Sequence, residues 1–165
     1  MAVTYDLIAS QTLASSAASI TFSSIAASWT DLRLVLTETN SGTTQVLLRF
    51  NGDTATNYSY TILAGNGTTA SSGGSSTINN IALQANYAAT STIPAFVSAD
   101  IFSYAGSTYK TVLVTNSADQ NGTGGIERIT GTWRSTAAIT SVVASVSFGT
   151  LSIGTTAQLY GIKAA

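Results

Sequence analysis

LLRFNGDTATNYSYTILAGNG, Leu47 to Gly67, is the stretch on which the reading of this chain turns. Val46, Leu48 and Phe50 fall on one side of an extended backbone and Leu47 and Arg49 on the other, the period-two pattern of a half-buried strand. Asn51-Gly52-Asp53 interrupts it with residue pairs favoured where the backbone needs positive φ. Tyr58, Tyr60 and Ile62 then resume the alternation, with Ser59 and Thr61 opposite. The segment reads as strand, turn, strand. Asn51, Asp53 and Asn57 also supply oxygens in the manner of a cation site, but calcium takes about six to eight oxygens, several from carboxylates, and only one carboxylate is present. Asp53 capping a neighbouring N–H as an Asx-turn accounts for it without a cation. The turn is the reading taken, with cation binding at Asn51, Asp53 and Asn57 as its alternative.

The period-two pattern recurs along the chain, and no stretch sustains a helical period. In DLRLVLTE, Leu32, Leu34 and Leu36 alternate with Asp31, Arg33, Val35 and Thr37. VTYDLIAS, SITF, YSYTIL, TINNIALQ, VSADIFSY, YKTVLVTN, GIERITGTW, ITSVVASVSFG and TAQLYGIK complete a set of about eleven candidate strands at the spacing of sandwiches and barrels. The fold class expected is all-β: a jelly-roll-like antiparallel β-sandwich of about 8–11 strands in a single domain spanning residues 1–165, with residues 1–16 as an N-terminal arm or edge strand. Pro94 suits a strand entrance. Gly65–Thr77 reads as a mobile exposed loop, and Asn116–Gly125 as a connection at one end of the sandwich.

Composition narrows the chemistry. Charged residues make up 8% of the chain, against about 25% in ordinary soluble domains, and 50 of the 165 residues are Ser or Thr. A surface hydrated by hydroxyls with a net charge of -1 gives little mutual repulsion, which suits a subunit built to assemble. Six scattered basic residues argue against nucleic acid as a partner. No apolar run is long enough to suggest a membrane span, and the N-terminus has no basic-then-apolar leader pattern, so synthesis in the cytosol is expected. The sequons at Asn57, Asn66 and Asn121 then carry no weight.

Without His or Cys the usual general base and thiol nucleophile are missing. Glu38 and Glu127 are the only glutamates, and no spacing singles out a carboxylate pair for glycoside hydrolysis. No enzymatic role, catalytic residue, metal site or cofactor is assigned. Trp29, Trp133 and the tyrosines could stack on a glycan, but the reading taken is that they fill the core or an interface, with Trp133 sealing one end of the sandwich. Arg49, flanked on its own face by apolar neighbours, is expected to meet a carboxylate (Glu38, Asp53 or Glu127) or a carbonyl.

Taken with YDLIASQTLASSAASITFSSI, WTDLRLVL and the closing AQLYGIKAA, the Leu47–Gly67 segment resembles a group of small virion proteins of tailed bacteriophages, notably those of marine and cyanobacterial hosts. The likeness covers the N-terminal half and the last strand. Ile25-Ala26-Ala27 departs from it, since many such proteins carry a Pro before the next strand. The resemblance implies a jelly-roll-like structural component of the virion, commonly a homotrimer. Two functions follow as expectations: a capsid decoration or cement protein bound to the major capsid protein, or a tail-fibre or head-fibre module recognising host surface glycans through Gly65–Thr77 and Asn116–Gly125.

Overall fold

Alternating side chains demand a partner layer for their apolar face, and the chain supplies it by folding on itself. The computed structural model describes residues 5–42 and 44–163. Twelve strands form two antiparallel sheets. The wide sheet runs, in order, β1 (Tyr5–Thr12), β12 (Thr156–Ile162), β3 (Asp31–Glu38), β8 (Ala95–Phe102), β9 (Lys110–Ala118), β10 (Gly125–Trp133), β5 (Tyr58–Gly65) and β6 (Ala70–Ile78). The narrow sheet runs β2 (Ser19–Phe22), β11 (Val142–Val146), β4 (Val46–Phe50) and β7 (Ile81–Ala82).

The pairing is nested. β1 lies against β12, β2 against β11, β3 against β8 and β4 against β7. Such first-with-last pairing is that of one long antiparallel ribbon wound over into two sheets, the jelly-roll arrangement the sequence leads one to expect. Two hairpins interrupt the ribbon: β5–β6 between β4 and β7, and β9–β10 between β8 and β11. They pair with each other through β5 and β10 and join β8 through β9, widening one sheet from four strands to eight.

Register puts Leu32, Leu34 and Leu36 of β3 opposite Ile101, Ala99 and Val97 of β8 on the inner face, and all six are buried. Ile129 of β10 meets Ile62 of β5 in the same layer. Full burial of each larger apolar side chain contributes about 1.5–3 kcal/mol. Two glycines mark where the layers approach most closely. A Cβ on Gly131 of β10 would lie 2.7 Å from Ile81 of β7, and one on Gly161 of β12 would lie 2.3 Å from the Trp29 indole. Trp29 is thereby seated flat on β12, and its Nε1 donates to Asp6 at 3.1 Å.

Two expectations change. Gly65–Thr77 is not an open loop: only a turn separates β5 from β6, closed by the Asn66 N–H donating to Thr69 O at 3.2 Å, and Ala70–Ile78 pairs with β5 except at a bulge at Thr77. Ser and Gly leave no apolar period to betray a strand, so its partner's ladder supplies the order. TINNIALQ likewise divides at Asn79-Asn80 between the end of β6 and β7, giving twelve strands where about eleven were expected. Within ITSVVASVSFG only Val142–Val146 is strand. β1 is an edge strand of the wide sheet, as the reading of residues 1–16 allows, while residues 1–4 lie outside the described residues. Pro94 directly precedes β8.

The close seat of Trp29 yields a test. Gly161→Ala forces the indole off β12 and is expected to lower stability by about 1–3 kcal/mol in urea unfolding; an unchanged midpoint contradicts this packing.

Candidate functional site

The Leu47–Gly67 stretch was the first candidate, and its side chains are committed to the fold. Asn51 and Gly52 both take positive φ, +54° and +66°, and the Asp53 N–H closes the turn on Phe50 O at 2.9 Å. The turn does not join neighbouring strands: it carries the chain from β4 in the narrow sheet to β5 in the wide one. Asp53 Oδ1 accepts from the Ala55 N–H at 2.9 Å, the Asx-turn bond. Its Oδ2 accepts from Asn57 Nδ2 at 3.0 Å and from Trp133 Nε1 at 2.8 Å. These donors, Asn57 foremost and then Trp133, hold the Asp53 carboxyl below the ordinary range. Asn51 turns elsewhere. Its Oδ1 accepts from the N–H groups of Thr140 and Ser141, and its Nδ2 donates to Ala138 O. Asp53 and Asn57 therefore meet, Asn51 does not join them, and the Asn51 and Asp53 oxygens offered for a cation accept from N–H groups.

Arg49 is half-buried and its Nε donates to Asn79 O at 2.9 Å, the carbonyl alternative, with no bond to Glu38, Asp53 or Glu127. Trp133 stacks on Tyr58 at 6.2 Å and 19° and lies 5.5 Å from Phe50. Burial pushes the Tyr58 hydroxyl up to about 12. Both Trp133 and Tyr58 sit inside the protein, where a sugar ring cannot stack on them, and Trp29 is half-buried with one face on Gly161.

The two glutamates do come close, in a buried chain of amides. Gln84 Nε2 donates to Glu38 Oε1 at 2.9 Å and Asn40 Nδ2 to Glu38 Oε2 at 3.3 Å. Asn116 Nδ2 donates to Glu127 Oε2 at 2.8 Å, and the N–H groups of Ala85 and Asn86 bind the Glu127 carboxylate at 3.0 and 2.7 Å. Glu38 is 1% exposed and Glu127 0%, so a substrate arriving from solvent touches neither. Desolvation raises the Glu38 carboxyl, opposed by its bonds to Gln84 and Asn40. What the network does is mechanical: it pins the segment following β7 across the inner face of β9 and β10. Asn116, read from the sequence as the start of a connection, lies instead inside β9, where its phase with Val112 and Val114 was the signal that it must find a partner inside. Gln84 and Asn40 lie outside regular alternation and gave no such signal.

That leaves the surface. The outer face of the wide sheet is uncovered and carries six of the nine exposed large apolar side chains: Tyr5, Leu7, Leu63, Phe96, Phe102 and Ile126. Its ionic groups are Asp31, Arg33, Asp100 and Arg128, two of each sign. Arg33 forks onto Asp100 at 2.5 and 2.8 Å, its guanidinium lies 5.4 Å from the Tyr5 ring centre, and Arg128 binds Thr115 Oγ1. The face is thus broad, apolar in patches and internally neutralised. At one end of the same sheet the β5–β6 turn and the β9–β10 connection meet, lining an open hollow of about 390 Å³ with Asn66, Gly67, Asp119 and Gly122. Comparisons with protein-family models, with curated proteins and with solved structures returned no match.

Two titrations test the internal chemistry. Asp53 is held low, so its contribution is present above the ordinary carboxylate range and is lost as pH falls through its folded pKa; Asp53→Ala should cost about 2–3 kcal/mol at neutral pH, with the difference from wild type shrinking in acid. Glu38 is raised, so its contribution is intact in acid and lost as pH rises through its folded pKa; Glu38→Gln should gain stability relative to wild type as pH rises above the ordinary carboxylate range. Denaturant midpoints across pH read both, and slopes of the opposite sign contradict these assignments.

Proposed function

We propose that the chain is a structural virion protein of a tailed bacteriophage, a capsid decoration protein that stabilises the head by lying on the major capsid protein. The observation that carries the proposal is the outer face of the wide sheet. An uncovered sheet face with clustered apolar side chains and charges equal in number of each sign, Arg33 paired with Asp100, is suited to lie against another protein, because that pairing lowers the ionic desolvation that opposes docking. The resemblance of Leu47–Gly67 and its flanking segments to small phage virion proteins supplies the partner class. Contacts spread over several coat subunits at once would add through avidity, with no single strong contact needed. In this reading the carboxylates serve the fold and the protein performs no catalysis.

A second reading has its own observation. The two loops named from sequence as recognition elements, one of them reduced to the β5–β6 turn, meet at one end of the sheet around an open hollow. A fibre module binding host glycans would use that end.

Incubation with empty heads and with host cells separates the two. Decoration predicts saturable attachment to heads alone, and Phe96→Lys on the outer face should weaken it roughly tenfold or more, as loss of an interface anchor does. Attachment to cells alone rejects decoration in favour of the fibre module. The three-fold assembly implied by the resemblance predicts a mass in solution that is a multiple of three times 16.8 kDa.

A further inference from the structure

The four edges of the two sheets are not alike. β2 has four residues and β7 two, too short to template another strand, and Gln11 Nε2 reaches over β2 to Thr21 O. β1 carries a bulge between Leu7 and Ala9, and Asp6 on it faces Lys163 at 3.3 Å. These are the devices by which proteins blunt an edge. β6 breaks register only near its end, where Thr77 bulges at φ +58°, and Ala70–Ser76 pairs with β5 without interruption. It runs nine residues, ASSGGSSTI, with no charge, no proline and side chains that are almost all small. The Asn66-to-Thr69 bond sets the phase of the β5–β6 ladder. By antiparallel alternation Ala70, Ser72, Gly74 and Ser76 then direct their backbone groups away from β5, toward the open edge.

We infer that this edge pairs with the same edge of a second copy of the chain, β6 against β6 about a two-fold axis, so that two wide sheets join into one. The chemistry of the edge selects that occupant. An uncharged Ser/Gly strand meets no unpaired charge only against an edge that is itself uncharged, and among the described residues β6 is the one long edge that qualifies; β1 brings Asp6, Lys163 and a bulge in mid-strand. Antiparallel pairing of identical strands is self-complementary and closes at two copies, whereas β6 against β1 would propagate. The contact uses the sheet edge and leaves the outer face free, so it stands or falls independently of head binding.

Sedimentation of the purified chain tests it. A mass of twice 16.8 kDa, or an even multiple, is expected, and Ser72→Pro, which removes an outward N–H, should halve it while leaving the circular dichroism melt in place. Amide exchange of the wild type gives a readout that needs no variant: protection at Ala70, Ser72, Gly74 and Ser76 should rise with protein concentration. A monomer at micromolar concentration, a mass untouched by Ser72→Pro in a folded variant, or fast exchange at those amides at every concentration overturns the inference.

Discussion

The carboxylate of Asp53 links the turn that takes the chain out of the narrow sheet to the indole at the end of β10 in the wide one. Around that link lie Phe50, Tyr58 and Trp133, one residue from the last position of β4, one from the first of β5 and one from the last of β10. Because β4 and β5 belong to different sheets, the direction in which β5 leaves this corner decides whether the β5–β6 hairpin lands beside β10. Tyr58 helps by donating its hydroxyl to Asp53 O at 3.2 Å. The residues that look most like a site in the sequence are therefore the joint on which the doubling of one sheet depends.

That doubling creates two surfaces with opposite requirements. The inner face of β9, β10 and β5 extends past most of the four-stranded partner sheet, and the chain covers it with that sheet's edge strand β7 and the segment that follows. Irregular backbone laid over a buried face brings polar groups inside, and Glu38, Asn40, Gln84, Asn116 and Glu127 bind them there. The outer face has no covering of this kind. With so few charges in the chain, those on this face are spent on one another or on hydroxyls, leaving Thr, Ser and apolar side chains to meet whatever lies opposite. A surface of that composition is poorly guarded against association, which fits a protein whose working state is an assembly.

How far the sequence could carry this depended on the kind of signal. Alternation in DLRLVLTE and QVLLRFN named the inward residues of β3 and β4 correctly, and Asn51-Gly52 announced positive φ where the turn has it. Alternation says nothing about which strands share a sheet, so the jump from β4 to β5 was invisible. It also fails where side chains are small on both faces, as in β6, where backbone pairing with β5 does the work that apolar periodicity does elsewhere. Arg49 was correctly expected to need a buried partner, but the carbonyl of Asn79 became available only through the folding of a segment thirty residues away.

The central claim is that the outer face of the wide sheet is a wall made to rest on a neighbouring protein. An electron cryo-microscopy reconstruction of the virion tests it directly. The account predicts density for this sandwich on the capsid lattice, with Leu7, Phe96 and Ile126 turned toward the coat; density at a fibre tip, or on the lattice with that face turned to solvent, contradicts it.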